Sequence, residues 1–173
     1  MKERERWEWG VAALRREYEG LSPLTRERAE RLAAAIKTCK EKIHLMLEGP
    51  SAAAVCARCG GECCKKGKNH FSAIDLIVFL HEGRELFEPY FEREICPYLG
   101  DGGCLMGPGY RPYNCITFIC EAVEDLLEEK EKRVFYSSGE ELRALYREME
   151  GLFDVSLRFS LLSVFERRQP DKS

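Results

Sequence analysis

Eight of the nine cysteines lie between Cys56 and Cys120, and this crowding of sulfur constrains the chain more than any other feature. At 173 residues a chain buries roughly two thirds of its unfolded surface on folding, so it needs no covalent staples merely to exist. The count is odd, which excludes complete internal pairing. Met1-Lys-Glu-Arg-Glu-Arg alternates charges where an export signal needs an apolar core, and the longest apolar runs, such as Leu76 to Leu80, are far too short to span a membrane. These features predict a cytoplasmic protein with reduced thiols, in which clustered cysteines bind metal or do redox work. A net charge of −3 gives no electrostatic case for nucleic acid.

The remainder reads as one mainly α-helical domain over residues 1–173. Trp7, Val11, Leu14, Tyr18 and Leu21 alternate spacings of four and three, which places them on one helical face. Gly20 closes that helix and Ser22-Pro23 opens a second, with a stripe of Leu32, Ile36, Cys39, Ile43 and Met46 and a stop at Gly49-Pro50. Residues 5–48 are therefore expected to form a helical hairpin. Its mixed charges, eleven Lys/Arg and eight Asp/Glu in residues 1–42, read as a solvated outer face; an interaction surface there is the weaker alternative.

Ser72 with Asp75 three residues on predicts a capped helix through Leu80, and Glu85 to Phe91 a shorter one. Cys96 to Cys115, rich in Gly, Pro and Tyr, reads as irregular loop with a small hairpin. Residues 121–168 are expected to supply C-terminal helices. One is an exposed stretch from Glu121 to Arg133; a long one starts at Ser138 and keeps its spacing through Leu142, Leu145, Met149, Leu152, Phe153, Ser156, Phe159 and Leu162 or Ser163. Gln169 to Ser173 reads as a frayed tail. The helices are thus expected to scaffold an irregular cysteine-rich module over residues 51–120.

Within that module the first group is Cys56-Ala-Arg-Cys59-Gly-Gly-Glu-Cys63-Cys64. A C-x2-C turn brings two sulfurs to one ion, and two further cysteines within five residues strengthen the signal. Gly60 and Gly61 let the loop curl and leave its amides free to donate to thiolates. The second group is Cys96-Pro97-Tyr98-Leu99, then Cys104, then Arg111-Pro112-x2-Cys115, then Cys120. Adjacent residues point in different directions, so Cys63 and Cys64 reach two centres more naturally than one. Four-thiolate sites carry net negative charge, which Arg58, Lys65, Lys66 and Lys68 stand ready to offset.

Non-metal roles for these cysteines fit less well. Core cysteines scatter at helical spacing rather than clustering in glycine loops, and Cys39 alone falls on such a stripe. A disulfide scaffold lacks its export signal, and a thioredoxin-like pair lacks its βαβ setting. Gly61 to Lys68 fails as a phosphate loop because five residues separate its glycines and Asn69 stands where Ser or Thr is required. His44 and His81 read as helical and either structural or exposed, whereas His70 follows the first group closely enough to be a candidate ligand or hydrogen-bond neighbour of the ligands. Zinc and iron–sulfur clusters both remain open as cofactors, since all-sulfur ligation suits either.

Together Cys56-x2-Cys59-x3-Cys63-Cys64, Asp75 near a helix start, Cys96-Pro-Tyr-Leu with Gly-Gly-Cys104, and Arg111-Pro112-x2-Cys115 resemble the YkgJ-like cysteine-cluster family, the CxxCxxCC zinc- or iron-chelating domain family. The resemblance covers residues 56–120. It implies that Cys56, Cys59, Cys63, Cys64, Cys96, Cys104, Cys115 and Cys120 chelate zinc or iron, iron–sulfur clusters included. In that family Arg often follows the last motif, whereas here Ile116 follows Cys115. A related cluster occurs in a bacterial flagellin lysine methylase, a longer enzyme.

The expectation is a metal-binding protein whose partner is a metal ion or cluster, with no nucleic acid or membrane and an unidentified protein partner left open. The alternative is a redox or electron-transfer protein, or an accessory subunit of an enzyme, using an iron–sulfur centre. No Ser/His/Asp set or spaced carboxylate pair offers catalysis beyond the metal site.

Overall fold

The computed structural model describes residues 2–48, 52–101, 103–153 and 157–163. It is mainly helical, 66% helix and 4% strand, as the periodicity predicts. Helix α1, Glu3–Glu19, opens with Glu3 and Glu5 in its first turn, where carboxylates favour the dipole. The Glu5 carboxylate accepts from the Lys2 amide at 2.8 Å. Its buried face is Trp7, Gly10, Ala13, Leu14 and Tyr18. Helix α2, Pro23–Glu48, starts where Ser22 Oγ accepts from the Thr25 amide at 3.2 Å, with proline at the first position.

The two helices expected to pair over 5–48 are joined by a tight turn but find their main partners elsewhere. Helix α2 runs along α8, Glu129–Glu150, and against α5, Ala73–His81, whereas α1 packs on α5 and on the 3-10 turn Leu161–Ser163. Gly10 makes the second contact close, since a Cβ there would stand 3.0 Å from the Leu161 carbonyl oxygen. Leu161 in turn donates its amide to the Phe71 carbonyl at 2.8 Å, and Ser160 bridges Ser72. Helix α5 is buried from Ala73 to Phe79. Its cap is reciprocal: Ser72 Oγ accepts from the Asp75 amide at 3.3 Å, and Asp75 Oδ2 accepts from the Ser72 amide at 2.8 Å.

Several boundaries differ from the sequence expectations. Glu85 to Phe91 is not helical. Pro89 interrupts it, and Phe87 and Phe91 turn instead onto Trp7, with ring centroids 5.7 and 6.2 Å away. The stretch after Cys120 is a single short turn, α7, Glu121–Glu124, and the long helix starts at Glu129 rather than Ser138. Glu128 and Glu131 cap it, the Glu131 carboxylate accepting from the Glu128 amide at 2.8 Å. It stops at Gly151, so Phe159 and Leu162 do not continue its stripe. Gly49-Pro50, Ser156 and Gln169 to Ser173 lie outside the described residues.

The expected irregular centre contains more helix than its glycines suggest, α3, Ala52–Arg58, and α4, Glu62–Lys65. The small hairpin is present: β1, Leu99–Gly100, pairs antiparallel with β2, Gly103–Cys104, in the register Leu99 to Cys104. A last short helix, α6, Tyr113–Thr117, follows the 3-10 turn Pro108–Tyr110. An aromatic cluster lies beneath these segments: Trp7 packs on Phe71 and Tyr98 with centroids 5.2 and 5.6 Å away. Tyr98 also donates its hydroxyl to the Lys68 carbonyl at 3.1 Å.

Candidate metal centre

All nine cysteines are free thiols. Cys39 stands apart from the rest. It is 5% exposed on the buried face of α2 and donates to the Ser138 carbonyl at 3.6 Å, so its role is packing, as its stripe position implies.

The first group is built by α3 and α4. Cys56 lies in the last turn of α3, and Cys59 Sγ donates to the Cys56 carbonyl at 3.4 Å. Gly60 and Gly61 then take φ of 64° and 69°, a left-handed pair that L side chains resist, and reverse the chain into α4. Their amides are not free for sulfur, contrary to expectation: Gly60 donates to the Ala57 carbonyl and Gly61 to the Cys56 carbonyl, because the turn also closes α3. Cys63 and Cys64 follow on α4, both exposed. Cys120 occupies the position just before α7, which packs on α3.

The second group comes from separate segments. Cys96, 7% exposed, packs in the main core, with Cys104 of β2 partly buried beside that core. Gly67 makes room for Cys96, since a Cβ there would stand 3.0 Å from its Sγ. Cys115 sits on α6, and His70 Nδ1 lies 3.3 Å from its sulfur, which brings the one candidate histidine to the cysteines.

Cys56, Cys64, Cys96 and Cys115 are hard to ionise as they stand. Cys64 is exposed as a residue, yet partial desolvation of its thiol pushes it up to about 11, with the neighbouring Cys63, Cys56 and Cys104 sulfurs adding to it. Desolvation raises the thiol of Cys115 still further although the residue as a whole is exposed, helped by Cys104, Asp75, Cys96 and Cys64, and raises Cys56 and Cys96 too. Burial lowers His70, which leaves its imidazole neutral near neutral pH. Among the cations the sequence nominates, Lys65 pairs with Glu62 at 2.6 Å and Lys68 pairs with Glu3. Arg111 of the second group acts on Cys56 of the first, easing its ionisation.

The eight predicted ligands therefore share one region of the molecule, with one imidazole beside them. They are not closed on a common point: among the described residues no three His, Cys, Asp or Glu side chains converge as a ready metal site. The donor chemistry, two groups of sulfur, is that of a thiolate-held zinc or iron–sulfur centre. Only the first group is gathered by a glycine turn; the second group's sulfurs come from separate segments. Binding would require the thiols to lose protons and draw together.

One polar cluster that no sequence motif marks lies beside this region. Lys40, fully buried on α2, donates from Nζ to Asp75 Oδ1 at 2.8 Å. Tyr146 of α8 donates its hydroxyl to the same oxygen at 2.5 Å, and Ser72 Oγ donates to Asp75 Oδ2 at 2.7 Å. The available signal was the spacing Ile36, Lys40, Ile43, which places a cation inside the apolar stripe.

Comparison with protein-family models, with curated proteins and with solved structures finds no match for this chain. No helix among the described residues is long and apolar enough to cross a membrane.

Proposed function

We propose that the protein binds zinc or iron, the latter as iron–sulfur clusters, through Cys56, Cys59, Cys63, Cys64, Cys96, Cys104, Cys115 and Cys120. The supporting observation is the segregation of cysteine. Eight thiols from separate chain segments influence one another electrostatically in one region, while the ninth is an ordinary core side chain. Unliganded thiols gathered this way repel one another once ionised, and a cation or cluster removes that penalty. The likeness to the YkgJ-like family points the same way.

A redox or electron-transfer role is the second reading, and the exposure of Cys59 and Cys63 favours it, since an electron-exchanging centre must lie near the surface. Elemental analysis and an optical spectrum of anaerobically purified protein test both. Broad absorbance near ~400 nm that bleaches on reduction supports an iron–sulfur redox centre. Colourless protein with stoichiometric zinc supports thiolate binding and overturns the redox role. Protein without zinc or iron overturns both.

A further inference from the structure

His70 is held against Cys115 by two separately anchored pieces of structure. On its own side, the His70 amide closes the 3-10 turn Gly67–Asn69 by donating to the Gly67 carbonyl at 3.0 Å. Tyr98 ties that turn to the core through the Lys68 carbonyl, and the next residue, Phe71, is fully buried against Trp7 and Tyr98. Cys115 stands 45 residues further along the chain, on α6, which packs on α2 and α8 and buries Ile116. Each segment is fixed by its own packing, and together they set Nδ1 3.3 Å from Sγ.

That separation is close to the one a shared ion requires. Bonds of about 2.0 Å to nitrogen and about 2.3 Å to sulfur at a tetrahedral angle put the two donors about 3.5 Å apart. A further sulfur borders the same space. Gly67 has no side chain to fill it: a Cβ there would stand 3.8 Å from His70 Nδ1 and 3.0 Å from the Cys96 sulfur. We propose that His70 Nδ1 joins Cys115 as a ligand of one ion, making that site a mixed sulfur and nitrogen one of the kind zinc accepts. The inference rests on the thiolate reading above and adds one nitrogen to it, sulfur still supplying most of the first shell. A hydrogen bond between imidazole and thiol is the competing account of the same contact.

The test is X-ray absorption at the zinc edge of full-length protein loaded anaerobically with zinc. Wild type should show, beside its sulfur shell, a nitrogen near ~2.0 Å with the outer-shell scattering of an imidazole ring. His70→Ala should lose that scattering, whereas His44→Ala and His81→Ala keep it. His70→Cys, a ligand of similar reach, should retain zinc in an all-sulfur shell, and its circular dichroism should match wild type. A wild-type spectrum without imidazole scattering, or scattering that His70→Ala leaves in place, overturns the assignment and leaves sulfur binding standing. Uptake of iron and sulfide without zinc overturns it as well. Protein that takes up neither zinc nor iron and sulfide, or that holds zinc without sulfur, overturns the reading beneath it.

Discussion

Lys40 and Asp75 are both fully buried and bonded at 2.8 Å, an arrangement in which removing one partner strands the other charge away from water. Lys40→Met should therefore destabilise the protein by about 3–5 kcal/mol, read from urea unfolding. A cost near zero would mean that Tyr146 and Ser72 alone satisfy Asp75. Tyr146 carries a pH consequence as well. Burial, then Asp75, raises its hydroxyl well above the usual value, and burial raises Cys39. Above about pH 8.5–10 the unfolded chain releases protons that these folded groups retain, so stability of the metal-free protein falls as pH rises. The urea midpoint should be level through neutral pH and decline above that range, less steeply above about pH 10 in Tyr146→Phe. A midpoint that rises with alkaline pH would contradict the assignment. Beyond the Ser72–Asp75 cap this network is not legible from residue type, because a lysine amid charges looks solvated until its position relative to Ile36 and Ile43 is weighed.

At the scale of elements, local chemistry accounts for what the sequence discloses. The Ser72–Asp75 cap, the Ser22-Pro23 start and the glycine turn after Cys59 each depend on residues a few positions apart, and each is where expected. One misplaced element depends on a distant partner: Phe87 and Phe91 leave helical spacing to meet Trp7. The early start of α8 is local instead, since Glu128 and Glu131, three residues apart, cap it. The cysteines belong to the first kind as a list and to the second as sets, since the docking of α7 on α3 decides which neighbours Cys120 has. Close approach between elements gives the test here. A Cβ at Gly10 would press on the Leu161 carbonyl, so Gly10→Ala should cost about 1–3 kcal/mol and lower the melting temperature. An unchanged melting temperature would show that the 157–163 segment shifts freely.

At the scale of the whole molecule, α2 is the axis on which the cysteine region and the C-terminal helix assemble. It packs along α8, α5 and α6 and against the turn Pro108–Tyr110. Deleting residues 1–48 should therefore abolish helical circular dichroism and metal content together. A truncated protein that stays folded and keeps its metal would restore the alternative in which these helices are a separable interaction module. The central claim is that sulfur from the eight clustered cysteines holds the metal, and X-ray absorption at the metal edge of the loaded protein tests it most directly. A first shell of about four sulfurs near 2.3 Å per zinc, or the sulfur shell of an iron–sulfur cluster, is expected. A first shell of nitrogen or oxygen near ~2.0 Å would contradict it.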